Sequence, residues 1–152
     1  MSERVSALLV HTDREPVNAL GYRLEEQGVT VRHASTCCEA RVVLKSDDPP
    51  HLVFADTTLE DGGWMDLVTL ARQTLLPVSV IVVSNIFDVS LYLNTIEYGV
   101  FDFVTPPFET RDIDHIVRCA MSDVILRRQD LAHLGASRER PVCRLRLTYS
   151  AL

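Results

Sequence analysis

A unit of one strand followed by one helix recurs five times along this 152-residue chain, and this repetition constrains the fold more strongly than any other feature. Short apolar runs, typical of buried strands, occupy residues 5–10, 29–34, 51–56, 76–84 and 101–105. Apolar residues at helical spacing follow these runs, over residues 16–28, 36–44, 64–75, 91–98 and 112–131. Parallel strands need crossover connections, which helices supply, so the sequence predicts an α/β fold.

The repeated units predict a single five-stranded parallel sheet with helices on both faces. The natural arrangement is the flavodoxin-like, doubly wound (βα)5 fold, with strand order 2-1-3-4-5 when strands are counted along the chain. The fourth run, LPVSVIVVS, is the most apolar and is expected at a central position covered on both faces. In such a fold the functional crevice lies at the carboxyl ends of the strands.

Charge and composition argue against several classes of function. The formal net charge of −6 disfavours direct nucleic-acid binding, because phosphate contacts need clustered positive charge. The sequence has neither a signal-peptide pattern nor a run of about 20 apolar residues, so we expect a cytoplasmic protein that does not enter a membrane. The cysteines fit neither a zinc spacing nor a disulfide framework and are expected to be small buried residues. They are Cys37, Cys38, Cys119 and Cys143.

Polar residues stand where the predicted strands end. They are His11, Thr12 and Asp13 after the first strand, Asp56 at the end of the third, Ser84 after the fourth, and Thr105 and Pro106 after the fifth. The carboxylates of Asp13 and Asp56, with a backbone carbonyl from the next loop, would suit Mg²⁺. Beside such an ion, Asp56 can act as a nucleophile and form an aspartyl phosphate. The alternative is structural: Asp13 caps the first helix and Asp56 ends a buried strand.

His11 allows two interpretations of its own. It is either a hydrogen-bonded histidine at the rim of the crevice or a softer ligand beside Asp56, which would favour a transition metal over Mg²⁺.

Four segments in order, LLVHTD, HLVFADTTLEDGG, VIVVSN and GVFDFVTPPF, resemble the receiver (CheY-like) domain of two-component response regulators. The resemblance covers residues 5–126. It implies that Asp56 accepts a phosphoryl group from a histidine kinase or phosphotransfer protein, and that the carbonyl of Thr58 joins Asp13 and Asp56 as a metal ligand. It further implies that Ser84 contacts the phosphoryl group and that Phe103 is the aromatic switch residue.

The sequence departs from the receiver pattern around this site. Receivers carry a phosphate-binding Lys before a Pro, commonly with a cis peptide bond between them, and here Pro106 replaces that Lys before Pro107. Proline offers neither a charge nor a donor at this position. Glu60 stands where receivers have a proline, and Trp64 where they have a small residue.

The acidic pair that follows the first strand in receivers has two possible positions here. If the first helix keeps its usual length, the pair falls on His11-Thr12 and neither acid is retained. If the pairing slides by one residue, it falls on Thr12-Asp13 and one acid remains. Both alternatives predict a weakened Mg²⁺ site, because either one supplies less negative charge than a receiver has.

We therefore expect a receiver-like domain at residues 1–128, followed by a helix extension and tail at 129–152 with no separate effector domain. The tail is either an amphipathic strand or disordered. The Arg127-Arg128 pair is expected on a solvated face.

The predicted function is signalling rather than catalysis: phosphoryl acceptance at Asp56 and output through protein contacts. By resemblance, a homodimer would use helix 4, strand 5 and helix 5, with Leu91, Tyr92 and Tyr98 in or beside that face. The alternative is a phosphorylation-independent pseudo-receiver that acts as an interaction or dimerisation module. A hydrolase that uses Asp56 as nucleophile is a weaker prediction, because no second acid is poised as general acid.

Overall fold

The computed structural model describes residues 4–12 and 17–132. Its main sheet contains five parallel strands in the order β2-β1-β3-β6-β7. These are β1 (Ser6–Val10), β2 (Thr30–Ala34), β3 (Leu52–Asp56), β6 (Ser79–Val83) and β7 (Asp102–Val104). The two-residue strands β4 (Thr58–Leu59) and β5 (Gly62–Gly63) form an antiparallel hairpin beside the sheet. The predicted order 2-1-3-4-5 is confirmed, since the hairpin strands only shift the numbering.

Five helices cover the two faces of the sheet. They are α1 (Val17–Glu26), α2 (Cys37–Leu44), α3 (Trp64–Arg72), α4 (Val89–Tyr98) and α5 (Thr110–Ala132). Helices α1 and α5 share one apolar core with the sheet, and α2, α3 and α4 share the other. Helix α3 ends three residues before the predicted boundary at residue 75, and α4 begins two residues before the predicted 91, where the Asp88 carboxylate accepts the N–H of Leu91 (3.3 Å).

Alternation along the strands assigns side chains to the two cores. In β1, Leu9 packs towards α1 and α5, whereas Leu8 packs towards α2 and α3. Phe54 and Val53 of β3 divide between the faces in the same way. Every residue of β3 and β6 is buried, as expected for strands covered on both faces.

The amino end of the sheet is held to α5 by polar contacts that are buried or partly buried. The Asp123 carboxylate accepts the Ser79 hydroxyl and the Arg127 Nε, both at 3.1 Å, and Arg127 also donates to the Ser79 hydroxyl (2.9 Å). Arg128 donates to the carbonyls of Pro77 (3.0 Å) and Pro50 (3.1 Å). The prediction of a solvated Arg127-Arg128 pair was wrong, because both guanidinium groups fold back onto the sheet end.

The cysteine prediction holds in part. Cys37 and Cys119 are buried, whereas Cys38 is exposed because α2 directs consecutive side chains to different sides. Burial raises the pKa of the Cys37 thiol to about 11, helped by the nearby Asp61 carboxylate. Cys143 lies outside the described residues. Across residues 4–12 and 17–132, no helix is both long and apolar enough to cross a membrane.

Candidate functional site

The carboxyl ends of the strands bring several predicted site residues to one crevice. Asp56 is the last residue of β3, and His11 directly follows β1. Because Val10 pairs with Ala55, His11 comes next to Asp56 across the two strands. By strand alternation both lie on the face covered by α1 and α5. Asp13, the other predicted carboxylate ligand, lies outside the described residues.

Asp56 is 7% exposed, and its orientation is set by the residue after it. One carboxylate oxygen, Oδ1, accepts the backbone N–H of Thr57 at 2.7 Å and lies 3.5 Å from the Thr57 hydroxyl. Asp56 is therefore a buried carboxyl group, held through one oxygen, at the mouth of the crevice.

His11 takes part in the sheet through its backbone and meets a second histidine through its ring. Its N–H donates to the Ala34 carbonyl (2.9 Å), which prolongs the ladder between β1 and β2. Its Nε2 lies 3.0 Å from Nδ1 of His33, with ring centroids 5.3 Å apart. One of these nitrogens must donate and the other accept, so a single proton lies between the rings. His11 is 5% exposed and hydrogen-bonded, which agrees with the first interpretation given above.

The described residues around Asp56 do not by themselves fit a Mg²⁺ site. Mg²⁺ needs oxygen ligands in octahedral geometry, and residues 4–12 and 17–132 place one carboxylate here with an imidazole beside it. Within residues 4–12 and 17–132, no three His, Cys, Asp or Glu side chains are grouped as metal ligands. Thr58, the predicted carbonyl ligand, lies in β4, two residues beyond Asp56.

The two predicted switch residues have partners away from Asp56. The Ser84 hydroxyl donates to the Ile86 carbonyl (2.8 Å) and accepts the Ile86 N–H (3.3 Å), so it shapes the start of the loop to α4. Phe103 is 7% exposed and packs edge-to-face on Tyr92 and Phe87, with centroids 6.0 and 6.1 Å away. The aromatic contacts join β7 to α4.

An exposed proline, Pro106, occupies the position where receivers carry the phosphate-binding lysine. Pro106 follows Thr105, and its peptide bond to Pro107 is cis, as the receiver resemblance implies. Since proline has no N–H and no charge, residue 106 presents nothing that could bind a phosphoryl oxygen. Glu60 is exposed in the turn of the β4–β5 hairpin, and Trp64 is buried edge-to-face against Tyr98 at 5.4 Å.

An apolar surface that the sequence reasoning missed lies at the start of α4. We call it the α4 patch; its residues are Ile86 (70% exposed), Phe87 (53%), Val89 (60%) and Leu93 (52%). The run IFDVSLYL contained the signal, because its apolar residues are too many for one buried helix face. Of the residues expected on this face, Tyr92 is buried and Leu91 half-buried, whereas Tyr98 is partly exposed.

Comparison with curated proteins gives distant similarity to bacterial regulators. The photosynthetic apparatus regulatory protein RegA of Cereibacter sphaeroides is 23% identical over 110 residues, which cover 72% of this chain and 59% of RegA. The phosphoglycerate transport system transcriptional regulatory protein PgtA of Salmonella typhimurium is 25% identical over 85% of this chain and 32% of PgtA. The chain thus spans less than two thirds of these relatives, and no protein-family profile matches it.

Solved structures resemble most of this chain. The signal receiver domain of a LuxO repressor protein from Vibrio parahaemolyticus superposes with a TM-score of 0.72 at 23% identity, covering 88% of this chain and 99% of that domain. A CheY-like receiver domain from Methanospirillum hungatei gives 0.68 at 18% identity, covering 82% and 98%. With its strand order and crevice, this chain has the fold of the CheY-like receiver domain of two-component response regulators.

Proposed function

We propose that this domain is a signalling module of the receiver type that acts by binding other proteins and does not depend on phosphorylation of Asp56. The observation that carries the proposal is that polar groups around Asp56 are committed to neighbours within the chain. His11 meets His33, and Ser84 bonds to the loop after β6.

The energetic cost of these departures supports the proposal. A charge-assisted hydrogen bond to a phosphoryl oxygen contributes about 1.5–3 kcal/mol, and Pro106 cannot make one. Without it, coupling between phosphorylation and conformation would weaken about tenfold or more. If the acidic pair of receivers falls on His11-Thr12, the loss of both acids would further disfavour metal-assisted transfer.

The α4 patch is the surface through which we expect this output. Contiguous exposed apolar side chains mark protein-binding sites on soluble domains. Phe87 of the patch also contacts Tyr92 and Phe103. A partner bound to the patch would therefore affect the aromatic packing between α4 and β7. A homodimer through α4, β7 and α5 remains a prediction. If this dimer forms, replacing Val89 and Leu93 with serine should lower the sedimentation coefficient to that of a monomer.

The second candidate function is phosphoryl acceptance at Asp56 from a histidine kinase or phosphotransfer protein. It is favoured by one observation: the strand order places a buried aspartate carboxylate at the crevice. In this alternative, Asp13, Asp56 and the Thr58 carbonyl would hold Mg²⁺.

One phosphorylation experiment separates the two candidates. The protein is incubated with acetyl phosphate and Mg²⁺, and base-labile phosphate is measured by intact-mass spectrometry. We expect no more labelling than in Asp56→Asn.

A restored variant provides the positive control. It combines His11→Asp, Thr12→Asp and Pro106→Lys, which return the acids and the amine, and it should gain Mg²⁺-dependent labelling that is lost when Asp56→Asn is added. Labelling of the unaltered chain at Asp56 would overturn the proposal in favour of the second candidate.

A further inference from the structure

A cleft of about 230 Å³ opens between β7 and the first half of α5. Its polar lining comes from Asp102, Thr105, Asp112 and His115, and its apolar walls include Phe108 and Ile116. Pockets for drug-sized ligands measure about 300–1,000 Å³, so this cleft suits a single side chain or a small ion on an apolar stem.

Asp102 is the unusual group in this cleft. It is 8% exposed, and its only hydrogen bond within residues 4–12 and 17–132 joins Oδ1 to the N–H of Phe103 (2.7 Å). The second oxygen, Oδ2, has no hydrogen-bond partner there and keeps contact with solvent. Burial raises the pKa of Asp102 to about 6, partly offset by that one N–H bond. A buried carboxylate is costly unless a cation or donors pair with it, and among the described residues no arginine or lysine lines the cleft.

A second acidic group lines the cleft beside Asp102. Asp112 adds a second carboxylate from α5, and His115 from the same helix is the other titratable group that lines the cleft. The cleft therefore combines negative charge with apolar walls. A planar guanidinium suits this environment, because it pairs with carboxylates in bidentate geometry and is weakly hydrated.

We propose that the cleft between β7 and α5 is a binding site for the guanidinium group of an arginine side chain, with Asp102 as the principal partner and Asp112 as the second. The alkyl stem lies along Phe108 and Ile116. This proposal is independent of whether Asp56 is phosphorylated.

The chain itself contains a possible source of the arginine. Residues 133–152 carry four arginines (138, 140, 144 and 146) and one glutamate, a net charge of +3. The chain total is −6, so residues 1–132 carry −9. Opposite charge on the two parts favours their association. An arginine from another protein would have the same chemistry, and the experiment below distinguishes the two sources.

The test uses n-butylguanidinium as the probe and its neutral isostere n-butylurea as the control, followed by ¹H–¹⁵N NMR of the full chain. The tail variant replaces Arg138, Arg140, Arg144 and Arg146 with glutamine and keeps the chain length. Saturable shifts at Asp102, Phe103 and Asp112 are expected with the guanidinium and not with the urea. Asp102→Asn should abolish them, whereas Asp47→Asn, which alters an exposed loop acid, should not.

Each outcome decides something. Shifts of similar affinity in the unaltered chain and the tail variant indicate a cleft that accepts arginine from another protein. Shifts that appear or strengthen only in the tail variant indicate that the chain's own arginine occupies the cleft. Binding should also weaken about tenfold from pH 7.5 to pH 5, as Asp102 takes up a proton. The proposal is overturned if neither protein responds, or if Asp102→Asn responds equally.

Discussion

Two carboxylates beside helix α5 are equally buried but have different partners. One lies in the second half of the helix, and the other lies in β7 next to its first half. Asp123, in α5, and Asp102, in β7, are each 8% exposed. Asp123 accepts a hydroxyl from Ser79 and an Nε–H from Arg127, whereas Asp102, within the described part of the chain, accepts only the N–H of the next residue. At the amino end of the sheet one Asp123 oxygen thus receives both a hydroxyl and a guanidinium, whereas the described residues supply no cation to Asp102.

This difference assigns different roles to the two regions beside α5. A largely buried ion pair that is also hydrogen-bonded fixes geometry, and the Asp123 contacts hold the long helix against the sheet. A buried carboxylate without a counter-ion costs stability, and such cost is typical of groups that serve binding. The comparison therefore separates an anchoring region from a binding region, and substitutions at each should change stability in opposite directions.

The largest expected effect is at the anchoring carboxylate. Asp123→Asn removes the charge that pairs with Arg127, whose side chain is 34% exposed and so partly solvated. Breaking a fully buried pair costs about 3–5 kcal/mol, and partial exposure should reduce this to about 2–3 kcal/mol. Urea unfolding followed by circular dichroism measures it. A loss below about 0.5 kcal/mol would contradict the anchoring role.

The next largest effect has the opposite sign. Asp102→Asn, made in the tail variant to leave the cleft unpaired, should raise the free energy of unfolding at pH 7.5 by about 1–2 kcal/mol. The folded pKa of about 6 lies above the usual value, so the native state holds the proton more tightly and loses stability as pH rises from about 4 to 6.

Asp102→Asn should remove this pH dependence of the free energy of unfolding. The two proteins should be equally stable below about pH 4 and differ by a constant amount above about pH 7. Urea unfolding across that range checks the sign. A gap that widens towards low pH would show that burial does not raise the pKa of Asp102.

The sequence predicted the architecture well because backbone pairing and helix crossovers leave few arrangements for five strand–helix units. The predicted strand ends gave the positions of Asp56 and Ser84 in the crevice correctly. Their partners were not predictable, since the bond from Ser84 to Ile86 depends on loop geometry rather than on a residue pattern.

The Arg127-Arg128 pair shows a second limit. Charged neighbours on a helix usually face solvent, and only the packing of α5 over Ser79 and Pro77 reveals that these two turn inward. Asp102 is a third example. The sequence places it in a strand, but only the fold shows that it is buried without a cation among the described residues.

A smaller gain is expected at a second unpartnered polar group. The Tyr92 hydroxyl is buried and has no hydrogen-bond partner among the described residues. Leaving a hydroxyl unpaired costs about 1–3 kcal/mol, so Tyr92→Phe should stabilise the domain by about 1 kcal/mol. Thermal unfolding in a calorimeter tests it. A destabilised variant would mean that the hydroxyl has a partner in solution, whereas Tyr92→Leu serves as a control that removes the ring contacts with Phe103 and should destabilise.

The smallest effect should come from an ion pair of the same spacing as Asp123 and Arg127 but on the exposed side of α5. Asp114 pairs with Arg118 at 3.1 Å, and their side chains are 42% and 79% exposed. Exposed pairs contribute about 0–1 kcal/mol, because water competes for both charges and salt screens them. Asp114→Asn should therefore change the free energy of unfolding by less than about 0.5 kcal/mol in 0.15 M salt. Since the two pairs share sequence spacing and bond length, a loss as large as that of Asp123→Asn would show that burial and the Ser79 contact are not what distinguishes the anchoring carboxylate.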